Sequence, residues 1–157
     1  MNLRLYLGIA LLLIGFFWDS MPEININKIT SPNTDYNKIL DLEKPSDKIF
    51  EELKDIKSIV SGPDEVFDRE IIAIFHNEMG KRLPTYENVT SISFENFYVD
   101  SAKSTFNSRL SNKYKALGDR MYKIILSTLG ENESIITKEE QMILSDKMRA
   151  ISWILLN

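Results

Sequence analysis

The chain has no cysteine among its 157 residues. That single absence excludes disulfides, thiol nucleophiles, cysteine-ligated zinc and a lipid-modified cysteine anchor. Histidine is almost as scarce: His76 stands alone. A histidine-rich metal site and the paired-histidine helix of metalloproteases are therefore impossible within one chain. The G-x-S-x-G nucleophile elbow, the phosphate-cradling glycine loop and the calcium-binding loop are missing as well. No internal repeat and no low-complexity tract interrupts the sequence. Positive charge is in deficit, with 19 Lys and Arg against 23 Asp and Glu. An acidic chain whose charges are dispersed is a poor match for nucleic acid or an anionic membrane surface. No cofactor, metal ion or nucleic-acid partner is expected.

What is present begins with an apolar run, Leu5–Trp18, broken only by glycines, one alanine and one tyrosine. As a helix these fourteen residues reach about 21 Å, against a hydrocarbon core of roughly 30 Å. Arg4 can snorkel to the headgroups and Trp18 is a ring that settles at the interface. Counted from Leu3 to Met21 the reach is about 28 Å, nearly a full span. Residues Arg4, Leu5, Tyr6, Leu11, Leu12, Leu13, Ile14, Phe16, Phe17 and Trp18 are the expected membrane-anchor residues. Signal peptidase wants small residues at two positions, and a cut after Ser20 would place Trp18 at one of them. The leading expectation for residues 1–20 is thus an uncleaved signal-anchor, with a cleaved signal peptide and an ordinary buried helix as the alternatives. The amine and Arg4 precede the run, while Asp19 and Glu23 follow it. By the positive-inside rule the N-terminus stays in the cytoplasm and the rest crosses to the periplasmic or extracellular side.

Residues 21–45 read as an extended linker punctuated by Pro22, Pro32 and Pro45. Ile24, Ile26 and Ile29 alternate as in a short edge strand, and 37–42 suggests a turn of helix. Residues 46–157 read as a helical domain. Ser46 caps a first helix carrying Ile49, Leu53, Ile56 and Val60, which Ser61-Gly62-Pro63 ends. A second helix follows with Phe67, Ile71, Ile74 or Phe75, and Met79 on one stripe and Gly80 as its stop, forming an antiparallel hairpin with the first. Phe94, Phe97, Tyr98, Ala102 and Phe106 mark a third helix, with a restart at Asp100. Tyr114, Leu117, Met121, Ile125 and Leu129 mark a fourth. The last begins at a capping box, Thr137 with Glu140, and carries Leu144, Met148, Ile151 and Leu155 to the C-terminus. The fold class is all-α: an N-terminal signal-anchor helix, an extended linker, then a compact bundle of four to five helices.

The candidates for chemistry are few. His76 and Glu78 make an H-x-E triplet, but residues two apart on a helix diverge by about 200°. His76 is expected to be structural. Glu78 with Glu95 or Asp100 across a groove would make a glycosidase carboxylate pair. Phe94, Phe97 and Tyr98 would line a ligand pocket or, as such clusters more often do, fill the core. The turn Glu131-Asn132-Glu133 reads as solvated. Asn88-Val89-Thr90 and Asn132-Glu133-Ser134 are glycosylation sequons that matter only in a eukaryotic host.

The layout is similar in outline to small signal-anchored envelope proteins of bacteria and their viruses, a likeness of architecture that carries no residue across. The expected function is a non-catalytic, membrane-tethered extracytoplasmic interaction protein of that envelope class. Leu144, Met148, Ile151 and Leu155 are its candidate interaction or core face, and a protein partner or self-association is expected beside the membrane itself. The alternatives are an exported, muramidase-like cell-wall hydrolase using Glu78 and a cleaved soluble subunit of a larger assembly.

Overall fold

The computed structural model describes residues 35–62, 65–107, 116–127 and 135–157. The anchor residues Arg4 to Trp18, the isoleucine alternation at 24–29, Tyr114, Leu129 and the acidic turn at 131–133 lie outside them. The described residues form an all-α arrangement: α1 (Tyr36–Ile39), α2 (Asp47–Leu53), α3 (Ile56–Ile59), α4 (Glu65–Arg82), a 3-10 turn (Leu83–Thr85), α5 (Ser91–Asn107), α6 (Leu117–Leu126) and α7 (Lys138–Leu156). Among them no helix is long and apolar enough to cross a membrane.

The last helix, α7, sits at the centre. It starts where the sequence places it: the Glu140 amide donates to Thr137 Oγ1 at 3.1 Å, and the Thr137 amide donates to Glu140 Oε2 at 2.8 Å. Leu144, Met148 and Ile151 have no exposed surface, and Leu155 is 3% exposed. Gln141, Ser145, Lys147, Ala150, Ser152 and Ile154 are buried too, so the helix is covered over most of its circumference, as a central element must be. Its exposed strip is short and includes Met142 and Ile143.

α4 runs antiparallel to α7 along a line of small residues. Ser152 Oγ donates to the Ala73 carbonyl at 2.6 Å, and Ser145 Oγ donates to the Gly80 carbonyl. The second bond has a covalent origin. A helical Gly80 carbonyl would accept from residue 84, but Pro84 has no N–H, so the α7 hydroxyl takes its place. Gly80 does not stop the helix as the sequence suggests; α4 continues to Arg82. A Cβ at Gly80 would lie 2.9 Å from Arg149 Cγ and 3.0 Å from the Ser145 carbonyl oxygen. The glycine is there for close approach rather than for termination.

The first expected helix is two short ones. Ser46 caps α2 through the Ile49 amide at 3.4 Å, and the chain turns at Lys54–Asp55 before α3. This break points Leu53, Ile56 and Val60 inward together. The pair docks chiefly on α7, not on α4 as a hairpin. Phe50 meets Trp153 edge-on at 6.2 Å, and Lys147 Nζ, inside the core, reaches Glu52 Oε1 at 3.1 Å. Arg69 of α4 closes the other end by donating to the Val60 carbonyl at 3.0 Å.

Residues 36–42, within the stretch expected as linker, pack against the body. Leu40 and Leu42 are buried; Asn77 Nδ2 donates to the Leu40 carbonyl at 3.1 Å and Arg149 Nη2 to the Asp41 carbonyl at 2.7 Å. On the opposite flank, α5 is continuous through Asp100 and pairs with α6. Their crossing is close at Gly118, where a Cβ would lie 3.0 Å from the Ala102 Cβ.

Candidate binding cleft

α4 shows α7 its small residues and presents Phe75, His76 and Met79 toward the α5–α6 pair. An aromatic cluster fills that seam. Phe75 meets Phe106 at 5.0 Å and Tyr98 at 5.8 Å between ring centroids, and Tyr98 lies 5.7 Å from Tyr122 of α6. His76 is inside this cluster, with no exposed surface. Its Nδ1 is 2.7 Å from the Ile72 carbonyl and its Nε2 is 2.6 Å from the Tyr98 hydroxyl. A carbonyl only accepts, so Nδ1 carries the hydrogen and Nε2 accepts the Tyr98 proton. Burial depresses the imidazole pKa to about 4, against a smaller upward pull from the Ile72 carbonyl. Burial also raises the Tyr98 hydroxyl well above its ordinary value. The pair is neutral at pH 7. With both nitrogens satisfied and no exposed surface, the chain's only histidine is out of reach of any substrate in this conformation.

One turn further along the same seam the packing opens into a cavity of about 230 Å³. Met79, Leu83, Val89, Phe94 and Phe97 furnish apolar lining, together with Tyr86. Glu87, Asn88 and Ser93 are exposed at its mouth. Asn88 holds φ at 54°, the left-handed region that asparagine tolerates better than most residues. The polar groups at the start of α5 are turned on each other: the Ser93 amide donates to Thr90 Oγ1 at 3.1 Å and the Thr90 amide to Ser93 Oγ at 3.0 Å. The cleft is therefore suited to an apolar group and offers little to an anion. Phe94 and Phe97 were legible as an aromatic pair. Met79 and Leu83 had to be brought opposite them by the 3-10 turn.

A second hollow of about 220 Å³ lies between the residues before α2 and α7. Lys44 and Arg149 line it together with Glu43 and Asp146, so it has no net preference for either sign of charge.

Glu78 does not line the apolar cleft. Its side chain is mostly buried on α4, 4.0 Å from Arg82 Nε. Burial raises its carboxyl pKa, while Lys81 and Arg82 pull it back down. Glu95 is hydrogen-bonded to the Tyr122 hydroxyl across the α5–α6 pair, and Asp100 is exposed on α5. Neither lines the cleft, so the structure does not gather these three carboxylates around one groove. Among the described residues no group of three His, Asp or Glu converges as a metal site would require. Leu144, Met148, Ile151 and Leu155 all lie in the core. Compared with known protein families, with curated proteins and with solved structures, the chain matches none.

Proposed function

We propose that this chain is a non-catalytic, membrane-tethered interaction protein of the cell envelope, its helical domain on the outer side of the cytoplasmic membrane. Its contact site on this reading is the cleft between α4, the 3-10 turn and α5. The observation that carries the reading is the pairing of an open apolar cleft with a sealed histidine: a place to bind, with the imidazole held out of reach. The leader Leu5–Trp18, with Arg4 ahead of it and acids behind, supports the tether and its orientation.

Intact mass of the protein from membrane and soluble fractions, with protease protection on the same cells, tests this. Full-length protein in the membrane, digested only from outside, is the expected result. A shortened soluble species would favour an exported subunit of an assembly, and full-length soluble protein would end the tethered reading. The hydrolase alternative retains one favourable observation, the carboxyl of Glu78 raised by burial. Release of fragments from peptidoglycan by the protein, abolished by Glu78→Gln, would replace the binding reading with that one.

A further inference from the structure

The described helices make two bodies with unequal seams. α4 and α7 share a long interface, and α5 and α6 share another, but α5 meets α4, and α6 meets α7, much more sparsely. The α4–α5 seam is closed by the aromatic cluster, and a polar bond crosses it from the Tyr98 hydroxyl to His76 Nε2. We infer that this bond is an acid-released latch holding the α5–α6 hairpin on the α4–α7 pair.

The chemistry follows from donor and acceptor counts. The neutral ring fits because Nδ1–H donates to Ile72 and Nε2 accepts from Tyr98. A protonated ring has two donors, so the Tyr98 O–H would have to turn away, its oxygen accepting from Nε2–H, which directs the hydroxyl hydrogen among the rings of Phe75, Phe94 and Tyr122 and leaves a cation with no exposed surface. Among the described residues the ring's hydrogen-bond and ring contacts are all with uncharged groups. From α4 the ring meets the Ile72 carbonyl and Phe75; from α5 it meets Tyr98 and Phe106. From α6 the nearest titratable group of the cluster is Tyr122, whose hydroxyl engages Glu95. From α7 the buried cation Lys147 is bonded to Glu52 and the Ile125 carbonyl, and Arg149 to the Asp41 carbonyl. The Ile72 carbonyl at Nδ1 and stacking on Phe106, 6.0 Å away, favour a charged imidazole and oppose the burial.

The latch also governs the cleft. Met79 is one helical turn beyond His76, and Phe94 is one turn before Tyr98, so parting at the bond moves the two cleft walls apart. That consequence rests on the proposed binding role of the cleft; the latch itself does not.

A closed-state imidazole value of about 4 against 6.5 when open sets the size of the effect. The open-to-closed ratio rises by about 80-fold between pH 6.5 and 4, and by up to about 300-fold over the whole titration. Glu78 and Glu70, whose carboxyls burial raises, favour the folded state when protonated, the opposite sense to His76, so a variant without the imidazole is needed to isolate it.

The test uses the full-length chain in detergent micelles, without a histidine tag, so that the imidazole signals in ¹⁵N NMR belong to His76 alone. Hydrogen-exchange protection is followed in parallel for each helix. The expected result is the neutral Nδ1–H ring at pH 7, and protonation only as the amides of α5 and α6 lose protection while those of α4 and α7 keep it. His76→Gln should hold α5–α6 protection at acid pH, and Tyr98→Phe should shift release to higher pH. Protonation near pH 6.5 with protection intact would overturn the latch. So would simultaneous loss in all helices, or the same acid loss in His76→Gln. Should His76→Gln fail to fold, the unmodified chain and Tyr98→Phe decide the matter by the same readouts. None of these results depends on where the chain sits in the cell, so a negative topology experiment and a negative latch experiment remain distinct.

Discussion

Tyr98 and Lys147 show how two buried polar side chains impose different demands. Tyr98→Phe removes one hydroxyl and leaves Nε2 of His76 an acceptor without a donor in an apolar cluster. The expected cost is about 1–3 kcal/mol in urea unfolding at pH 7, with the far-UV spectrum unchanged. Lys147 is 1% exposed, and its ammonium bridges Glu52 on α2 and the Ile125 carbonyl on α6. Removing the acid takes the carboxylate from a buried cation that keeps its bond to the Ile125 carbonyl, so Glu52→Ala should cost about 1–3 kcal/mol. Lys147→Met removes the charge and keeps the volume, leaving Glu52 enough exposure to be hydrated. It should lie within about 1 kcal/mol of the parent, and chemical denaturation of both variants checks the asymmetry. Neither role was visible beforehand. A lone histidine or a lysine in a helical pattern says nothing of its partner until two other helices arrive, and the expected core position of Tyr98 did not name His76 as the group its hydroxyl would meet.

For whole elements, α7 and α4 differ in how much their sequences disclose. Thr137 and Glu140 specify the start of α7 by local chemistry, and both reciprocal bonds form. Thr137→Ala should therefore cost about 1 kcal/mol, read as a lower urea midpoint with unchanged slope. The stripe Leu144, Met148, Ile151 and Leu155 was legible as apolar, but burial of Gln141, Lys147 and Ser152 on other faces was not. Periodicity reports one contact face, whereas a central helix has several. Gly80 gave the wrong signal because a glycine four residues before a proline resembles a stop. Its lost hydrogen-bond partner is replaced from α7, and its missing side chain admits Ser145 and Arg149. Gly80→Val should cost about 2–3 kcal/mol through overpacking, measured by thermal or urea unfolding. The break between α2 and α3 was missed for a related reason: Leu53, Ile56 and Val60 satisfy helical spacing, and only docking on α7 selects two short helices over one long one.

For the molecule as a whole, the proposed tether and the helical body make separable predictions. Protease treatment of intact cells should remove the helical body of a membrane-bound full-length chain, and disruption of the membrane should add no further loss. The all-α class could be read from the sequence because apolar residues recur at helical spacing in segment after segment, a property of each segment alone. The exclusions were equally secure: without cysteine and with one histidine, whole classes of metal and thiol chemistry require residues that do not exist. The apolar run Leu5–Trp18, on which the proposed tether rests, is likewise a feature of consecutive residues. The tertiary structure decided which helix is central, which glycines are points of close approach and that residues 36–42 belong to the packed body. It also decided that His76 meets Tyr98 and that Met79 and Leu83 stand across a cleft from Phe94 and Phe97. Those pairings join residues from different elements, and their geometry follows from how the helices pack rather than from the order in which the residues occur.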